Sequence, residues 1–189
     1  LQVNPGAVQA VADRMKLVYT PFHGTGYLLV PEILRRIGYR HVLCVPEQMA
    51  PDGDFPTVKS PNPEDKEGFA LAIRLAREHD VDLIIGTDPD CDRTGIMLRD
   101  GRGEYVTLSG DQVGVLLADY IITSKKRRGT LPASPAVIKT IVSSEMTRAV
   151  CQKHGVACFD TFTGFKHIAE LIGKFEREKS YRYIFAYEE

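Results

Sequence analysis

Paired cysteine spacing, long apolar runs and a charge excess are all missing from this chain, and each absence removes a class of function. Its four cysteines, Cys44, Cys91, Cys151 and Cys158, form no C-x-x-C pair and no framework, which points to a reducing compartment. No stretch approaches the roughly 20 apolar residues of a membrane helix, and the first residues lack the charged-then-apolar layout of a signal peptide. The chain therefore reads as soluble and cytoplasmic, with no membrane partner. A net charge of -1 and a pI near 6.6 provide no basic surface for nucleic acid. A glycine is missing too: Gly24-Thr25-Gly26 begins like a dinucleotide-binding turn, but Leu29 stands where the third glycine belongs.

What is present is enough apolar material, 43% of 189 residues, for one large core or two small ones. The most informative stretch is 83–94. An apolar run, Leu83-Ile84-Ile85, leads into a turn with Asp88, Asp90 and Asp92 at alternate positions, followed by Arg93. A loop leaving a strand can turn alternate residues inward, so three carboxylates converge and repel unless a hard cation such as Mg2+ or Ca2+ cancels their charge. The carboxyl end of a strand is also where α/β sheets place ligands. An EF-hand counted from Asp88 needs glycine at its sixth position and glutamate at its twelfth, and Arg93 and Arg99 stand there. A haloacid-dehalogenase-type phosphatase would place Asp-x-Asp-x-Thr directly after the strand. Asp90-Cys91-Asp92-Arg93-Thr94 has those letters, two residues out of frame.

Around this loop the pattern alternates strand and helix. Strands are expected at 16–20, 41–45 and 82–85, with helices at 27–37 and 64–79. Leu28, Leu29, Ile33, Leu34 and Ile37 form the inward face of the first helix, and Phe69, Ala72, Ile73 and Ala76 that of the second. The five prolines within 46–63 exclude helix and central strand there. Strand 94–98 pairs with 105–108 across a turn at Asp100-Gly101, and Ser109-Gly110-Asp111 caps a helix to about Ile122. Lys125-Lys126-Arg127-Arg128 marks a composition break, read as a solvated helix end and linker. Beyond it strands at 136–141, 156–159 and 183–187 alternate with helices at 144–154 and 164–175. The fold class is α/β, with two consecutive α/β/α domains at 1–126 and 130–189 and mixed sheets layered between helices. His23 reads as either a packing residue of its glycine turn or a ligand.

Asp-x-Asp-x-Asp-Arg after a strand resembles the metal loop of the α-D-phosphohexomutases, the phosphoglucomutase and phosphomannomutase group. Thr20-Pro21-Phe22-His23-Gly24-Thr25-Gly26, Phe55-Pro56-Thr57-Val58-Lys59 with Pro61-Asn62-Pro63-Glu64, Thr163-Gly164-Phe165-Lys166 and the terminal Glu188-Glu189 match further stretches in the family's order. The 55–59 stretch most resembles the branch with phosphoglucomutase-2-like and phosphopentomutase enzymes. The resemblance implies an isomerase that interconverts hexose 1-phosphate and hexose 6-phosphate, of glucose or mannose, through an enzyme phosphoserine and a hexose bisphosphate. It implies Mg2+ on Asp88, Asp90 and Asp92, phosphate contact by Arg93, and phosphate binding or proton transfer by Lys166. Thr163, Gly164 and Glu188 would contact the sugar phosphate, with Lys139 near the cleft. The family's phosphoserine loop, Ser-His-Asn-Pro, and its phosphate-binding loop lie in domains absent from these residues. The chain is thus expected to be a piece of a longer protein, inactive alone, with the missing N-terminal and C-terminal domains as partners. A metal-dependent phosphatase and a non-catalytic sugar-phosphate binding module are the competing readings.

Overall fold

The computed structural model describes residues 4–188. Its backbone divides into two units, the first ending at Ser109 and the second beginning at Gly110.

In the first unit, α1 (Pro5–Val11) precedes a five-stranded sheet. Strand β1 (Lys16–Thr20) lies between β2 (His41–Cys44) and β3 (Leu83–Thr87), both parallel to it. β4 (Thr94–Arg99) and β5 (Tyr105–Leu108) continue the sheet antiparallel, in the order β2-β1-β3-β4-β5. Connection length decides the direction. The parallel pairs are joined through helices, α2 (Gly26–Arg36) and α4 (Ala70–Glu78), whereas short loops can only reverse the chain. The core gathers Val18, Phe22, Phe69, Ala72, Ile84 and Met97. Phe22 and Phe69 meet edge to face at 5.0 Å over Gly86, where a β-carbon would lie 2.6 Å from the Phe69 ring.

Three local expectations change. Leu34 is buried as expected, but Leu28, Leu29 and Ile33 do not face the core: they are 61%, 77% and 53% exposed, and Gly26 and Pro31 are buried instead. Apolar residues occupy most of this helix's circumference, so periodicity could not choose a face. Gly26 chooses it, because its α-carbon sits against the Tyr19 hydroxyl and Thr87. Within 46–63 a single helical turn, α3 (Pro46–Met49), does form, since proline is tolerated at a first helical position where its missing N–H has no partner to lose. Expected helix 64–79 begins later, with Asp65 capping a 3-10 turn (Lys66–Phe69) that runs into α4. The inward Phe69, Ala72 and Ala76 are as expected. The β4–β5 connection is a loop over 100–104, in which Asp100 Oδ1 accepts from Arg102 N at 2.8 Å and Glu104 N at 2.9 Å.

In the second unit, α5 (Gly110–Arg127) and α6 (Met146–His154) pack with a parallel sheet, β7-β6-β8. The strands are β6 (Pro135–Thr140), β7 (Ala157–Thr161) and β8 (Arg182–Tyr187), with α7 (Phe165–Glu178) crossing between the last two. Among the described residues this sheet has parallel pairs alone, and the expected mixed pairing is that of the first sheet. Helix α5 runs through Lys125, Lys126 and Arg127, so these three form the expected helix end and not the linker. These cations suit the negative end of a helix dipole. The expected division at 126–130 moves to 109/110 because α5 belongs to the second unit. Asp111 Oδ1 accepts from Ser144 N at 2.6 Å, Asp119 meets His154 at 2.9 Å, and Lys126 donates to the His154 carbonyl at 2.6 Å. Gly114 lies against the Tyr187 ring, where no β-carbon fits.

Gly114→Ala should therefore cost about 1–3 kcal/mol by overpacking, read from urea unfolding. Gly101→Ala, with open space around it, should change stability by less than about 0.5 kcal/mol.

Candidate metal centre

Strand β3 delivers its carboxyl end to a loop that the first unit grips from two sides. Thr87, its last residue, shares a buried hydrogen bond with Tyr19 at 2.9 Å. Thr25 donates to the Pro89 carbonyl through N–H at 2.7 Å and Oγ1 at 3.0 Å. Gly24 lies so close to the Pro89 backbone that a β-carbon there would overlap it. The loop closes with Cys91 in the left-handed region (φ 64) and its N–H on the Asp88 carbonyl at 3.1 Å.

The gripping turn carries its own strain, with Phe22 and His23 both at positive φ, 45 and 63. Such conformations are costly for non-glycine residues and persist only when the surroundings enforce them. Here Phe22 is fully buried, and the His23 N–H donates to the Gln48 carbonyl at 2.9 Å. Both His23 ring nitrogens are engaged, by the Ala50 carbonyl at 3.0 Å and Thr57 Oγ1 at 2.9 Å. His23 is thus a packing residue, and its reading as a ligand falls away.

The result is a convergence of Asp88, Asp90 and Asp92, with one carboxylate oxygen from each within 4.8 Å of the others. Asp88 is buried and the other two are exposed. Asp88 Oδ1 accepts from the Arg93 N–H at 2.9 Å. Burial pushes the Asp88 carboxyl above its ordinary range, and the Asp90 and Asp92 carboxylates add to the rise against the lowering by the Arg93 N–H. An all-oxygen donor set short of positive charge fits a hard divalent cation of the Mg2+ kind. The Arg93 side chain is exposed at the loop's exit. Thr94, the third letter of the phosphatase pattern, is already the first residue of β4.

The second unit joins two of the stretches picked out by sequence. Gly164, at φ 112, directs its N–H to both carboxylate oxygens of Glu188, at 2.9 and 3.0 Å. Thr163 is exposed beside it, and Lys166 is exposed in the first turn of α7. Glu189 lies outside the described residues.

Lys139 is placed differently from its expected role beside substrate. It is fully buried, with Nζ 2.8 Å from Glu145 and 3.0 Å from Asp160, and donating to the carbonyls of Ser143 at 3.1 Å and Thr140 at 3.3 Å. Burial works to lower its pKa, and the two carboxylates more than reverse this and hold it above the ordinary lysine range. Arg148 completes the network through Glu145 at 2.9 Å, Asp160 and the Cys158 carbonyl at 3.0 Å. A buried lysine demands partners, so the need was legible. Asp160 was not, because it faces Lys139 only through the β6–β7 register.

Known proteins agree with this architecture. The family model described as "Phosphoglucomutase/phosphomannomutase, alpha/beta/alpha domain II" matches residues 3–101, and its domain III counterpart matches 109–189. A phosphoglucomutase of Staphylococcus haemolyticus is 39% identical over 175 residues, covering 93% of this chain and 31% of that protein. The chain thus spans about a third of the length of the curated relatives it matches. A phosphoglucomutase/phosphomannomutase family protein from Burkholderia thailandensis superposes with a TM-score of 0.66 at 16% identity, over 97% of this chain and 38% of that one. The Aspergillus fumigatus N-acetylphosphoglucosamine mutase, solved in complex with glucose 1,6-bisphosphate, gives 0.55 at 15% identity, over 91% of this chain and 33% of that one. At these identities the two structures speak for the fold.

A carboxyl whose pKa is raised by folding favours the protonated native state, so stability falls as pH rises from the ordinary carboxylate range through the raised value. With chelator present, Asp88→Asn should melt above the wild type at neutral pH, and the gap should close in acid. Added Mg2+ should reverse the order by stabilising the wild type alone. A scanning-fluorimetry pH series in which the wild type is the more stable at neutral pH without metal would contradict this assignment.

Proposed function

This chain belongs to the phosphoglucomutase/phosphomannomutase family, and from that premise we propose that it supplies the metal loop and sugar-phosphate loops of an Mg2+-dependent phosphohexomutase. The reaction is the interconversion of hexose 1-phosphate and hexose 6-phosphate, of glucose or mannose, through an enzyme phosphoserine and a hexose bisphosphate, in the cytoplasm. The observation that carries the reading is the convergence of three aspartate oxygens within 4.8 Å in a loop clamped at the carboxyl end of β3. The family match gives that convergence its chemistry. No helix among the described residues is long and apolar enough to cross a membrane.

Phosphoryl transfer asks for positioning and charge neutralisation more than for covalent work by the protein. Asp88, Asp90 and Asp92 would hold Mg2+, which when bound neutralises phosphate oxygens and polarises the phosphoryl group. Arg93 offers a planar, permanently charged donor set suited to bidentate phosphate binding. Lys166 lies in the first turn of α7, where free backbone N–H groups already favour anions, and can bind phosphate or move a proton at a sugar hydroxyl. The Glu188 carboxylate is oriented by the Gly164 N–H and keeps acceptor capacity for ring hydroxyls, with Thr163 beside it. Lys139, its donors already occupied, drops out of the substrate-contacting set. The acceptor serine of the Ser-His-Asn-Pro loop is not supplied here, since that string does not occur in the 189 residues.

Calorimetric titration of the chain with glucose 1,6-bisphosphate in Mg2+ should show weak binding without release of inorganic phosphate. Arg93→Ala and Lys166→Ala should each weaken it about ten-fold, as expected for loss of one hydrogen bond to a charged group. Phosphate release by the chain alone that disappears in Asp90→Asn would favour the phosphatase instead.

A further inference from the structure

Cys151 and Cys158 are seven positions apart, a spacing with no motif value, yet the fold packs Cys158 against the buried cluster that contains Cys151. Helix α6 carries Cys151 on its buried face and ends at His154. Gly155 turns the chain in the left-handed region (φ 69), and the Val156 N–H returns to the Cys151 carbonyl at 2.9 Å. Strand β7 then runs back so that Cys158 packs against the cluster of Ile122, Val137, Cys151 and Val156. Cys151 is fully buried and Cys158 is half-buried. We propose that this pair is an oxidation site that closes to an intramolecular Cys151–Cys158 disulfide on exposure to a hydroperoxide.

The two thiols are unequal in the way such chemistry needs. Cys158 is the more open, and the Arg148 guanidinium donates to its carbonyl at 3.0 Å, placing a cation beside it. The hydrogen bond from Cys151 and this cation favour the Cys158 thiolate, while the same contact and burial push the Cys151 thiol up. A partly exposed thiol with a lowered pKa, near a buried partner that can resolve it, is the arrangement found in redox-sensitive cysteines. The Cys158 thiolate attacks one oxygen of hydrogen peroxide and the O–O bond breaks. Sulfenic acid forms at Cys158, and the released hydroxide takes up a proton to become water. The Cys151 thiol then gives up its proton, its sulfur attacks the Cys158 sulfur, and the S–O bond breaks with hydroxide leaving as a second water. Two thiols have lost two electrons to one peroxide. The bond would tie α6 to β7 two residues before Asp160, the carboxylate that holds Lys139 and Arg148.

The test is peroxide treatment of the native 189-residue chain, alkylation of the remaining thiols, tryptic digestion and mass spectrometry. Peptide 149–153 should appear joined to peptide 154–166, two hydrogens lighter than the separate pair, and dithiothreitol should release them. In Cys151→Ala, which keeps the site apolar, the link should be lost and Cys158 should be trapped as its dimedone adduct. Retention of both alkylatable thiols, linkage of Cys158 to Cys44 or Cys91, or equally fast linkage in urea would each overturn the proposal.

Discussion

The close approach of the Gly24 backbone to Pro89 is the constraint on which the candidate site depends. A loop bearing three aspartates would spread in water, because the carboxylates repel one another. Here the spread is resisted by Thr25, which donates twice to the Pro89 carbonyl, and by the buried Tyr19–Thr87 hydrogen bond immediately before Asp88. Neither contact is possible with a β-carbon at 24 or 26. The Gly24-Thr25-Gly26 turn therefore serves the three-aspartate loop, although its letters first suggest a nucleotide site. Strain at Phe22 and His23 is the cost of bending the chain there, offset by burial of the Phe22 ring against Phe69 and by the polar contacts of His23 with Ala50 and Thr57.

The second unit relies on a different kind of constraint. Lys139 stands in the middle strand of a sheet buried at every β6 position, where an unpaired ammonium would be costly. Glu145 and Asp160 neutralise it, and the carbonyls of Thr140 at the end of β6 and Ser143 in the loop after it complete its shell. The charge is thereby turned into a tie between the strand, that loop, α6 and β7. Tyr187 plays the corresponding apolar part, its ring against Gly114 and its hydroxyl on Thr147 at 2.7 Å. Through it, the strand leading to Glu188 is fixed to α5 and α6.

Much of this was legible in the chain. The order of strands and helices, the inward face of 69–76, the convergence of the three aspartates and the Thr163–Lys166 turn rest on local signals: short β-rich runs, helical spacing, alternating aspartates and glycine turns. Errors arose where local signals were degenerate. Helix α2 is apolar around most of its circumference, so its buried face could not be chosen from periodicity. Three of the four cations at 125–128 finish a helix as expected, but their place at its dipole's negative end says nothing about what its other residues pack against, so the division between the units was misplaced.

The sequence by itself determined the kinds of residue available and their order: three carboxylates at alternate positions after a strand, an arginine beside them, and a lysine in a buried run that required partners. Those are short-range facts, encoded in neighbouring letters. Only the tertiary structure decided that Gly24 and Thr25 would clamp Pro89, that Glu188 would meet Gly164, that Asp160 would answer Lys139, and that Cys158 would pack against the cluster holding Cys151. Each of these joins residues through parallel strand register or helix packing, and these depend on the whole sheet closing at once. A one-residue change of register would turn every side chain of a strand to its other face, so no local reading could have assigned them.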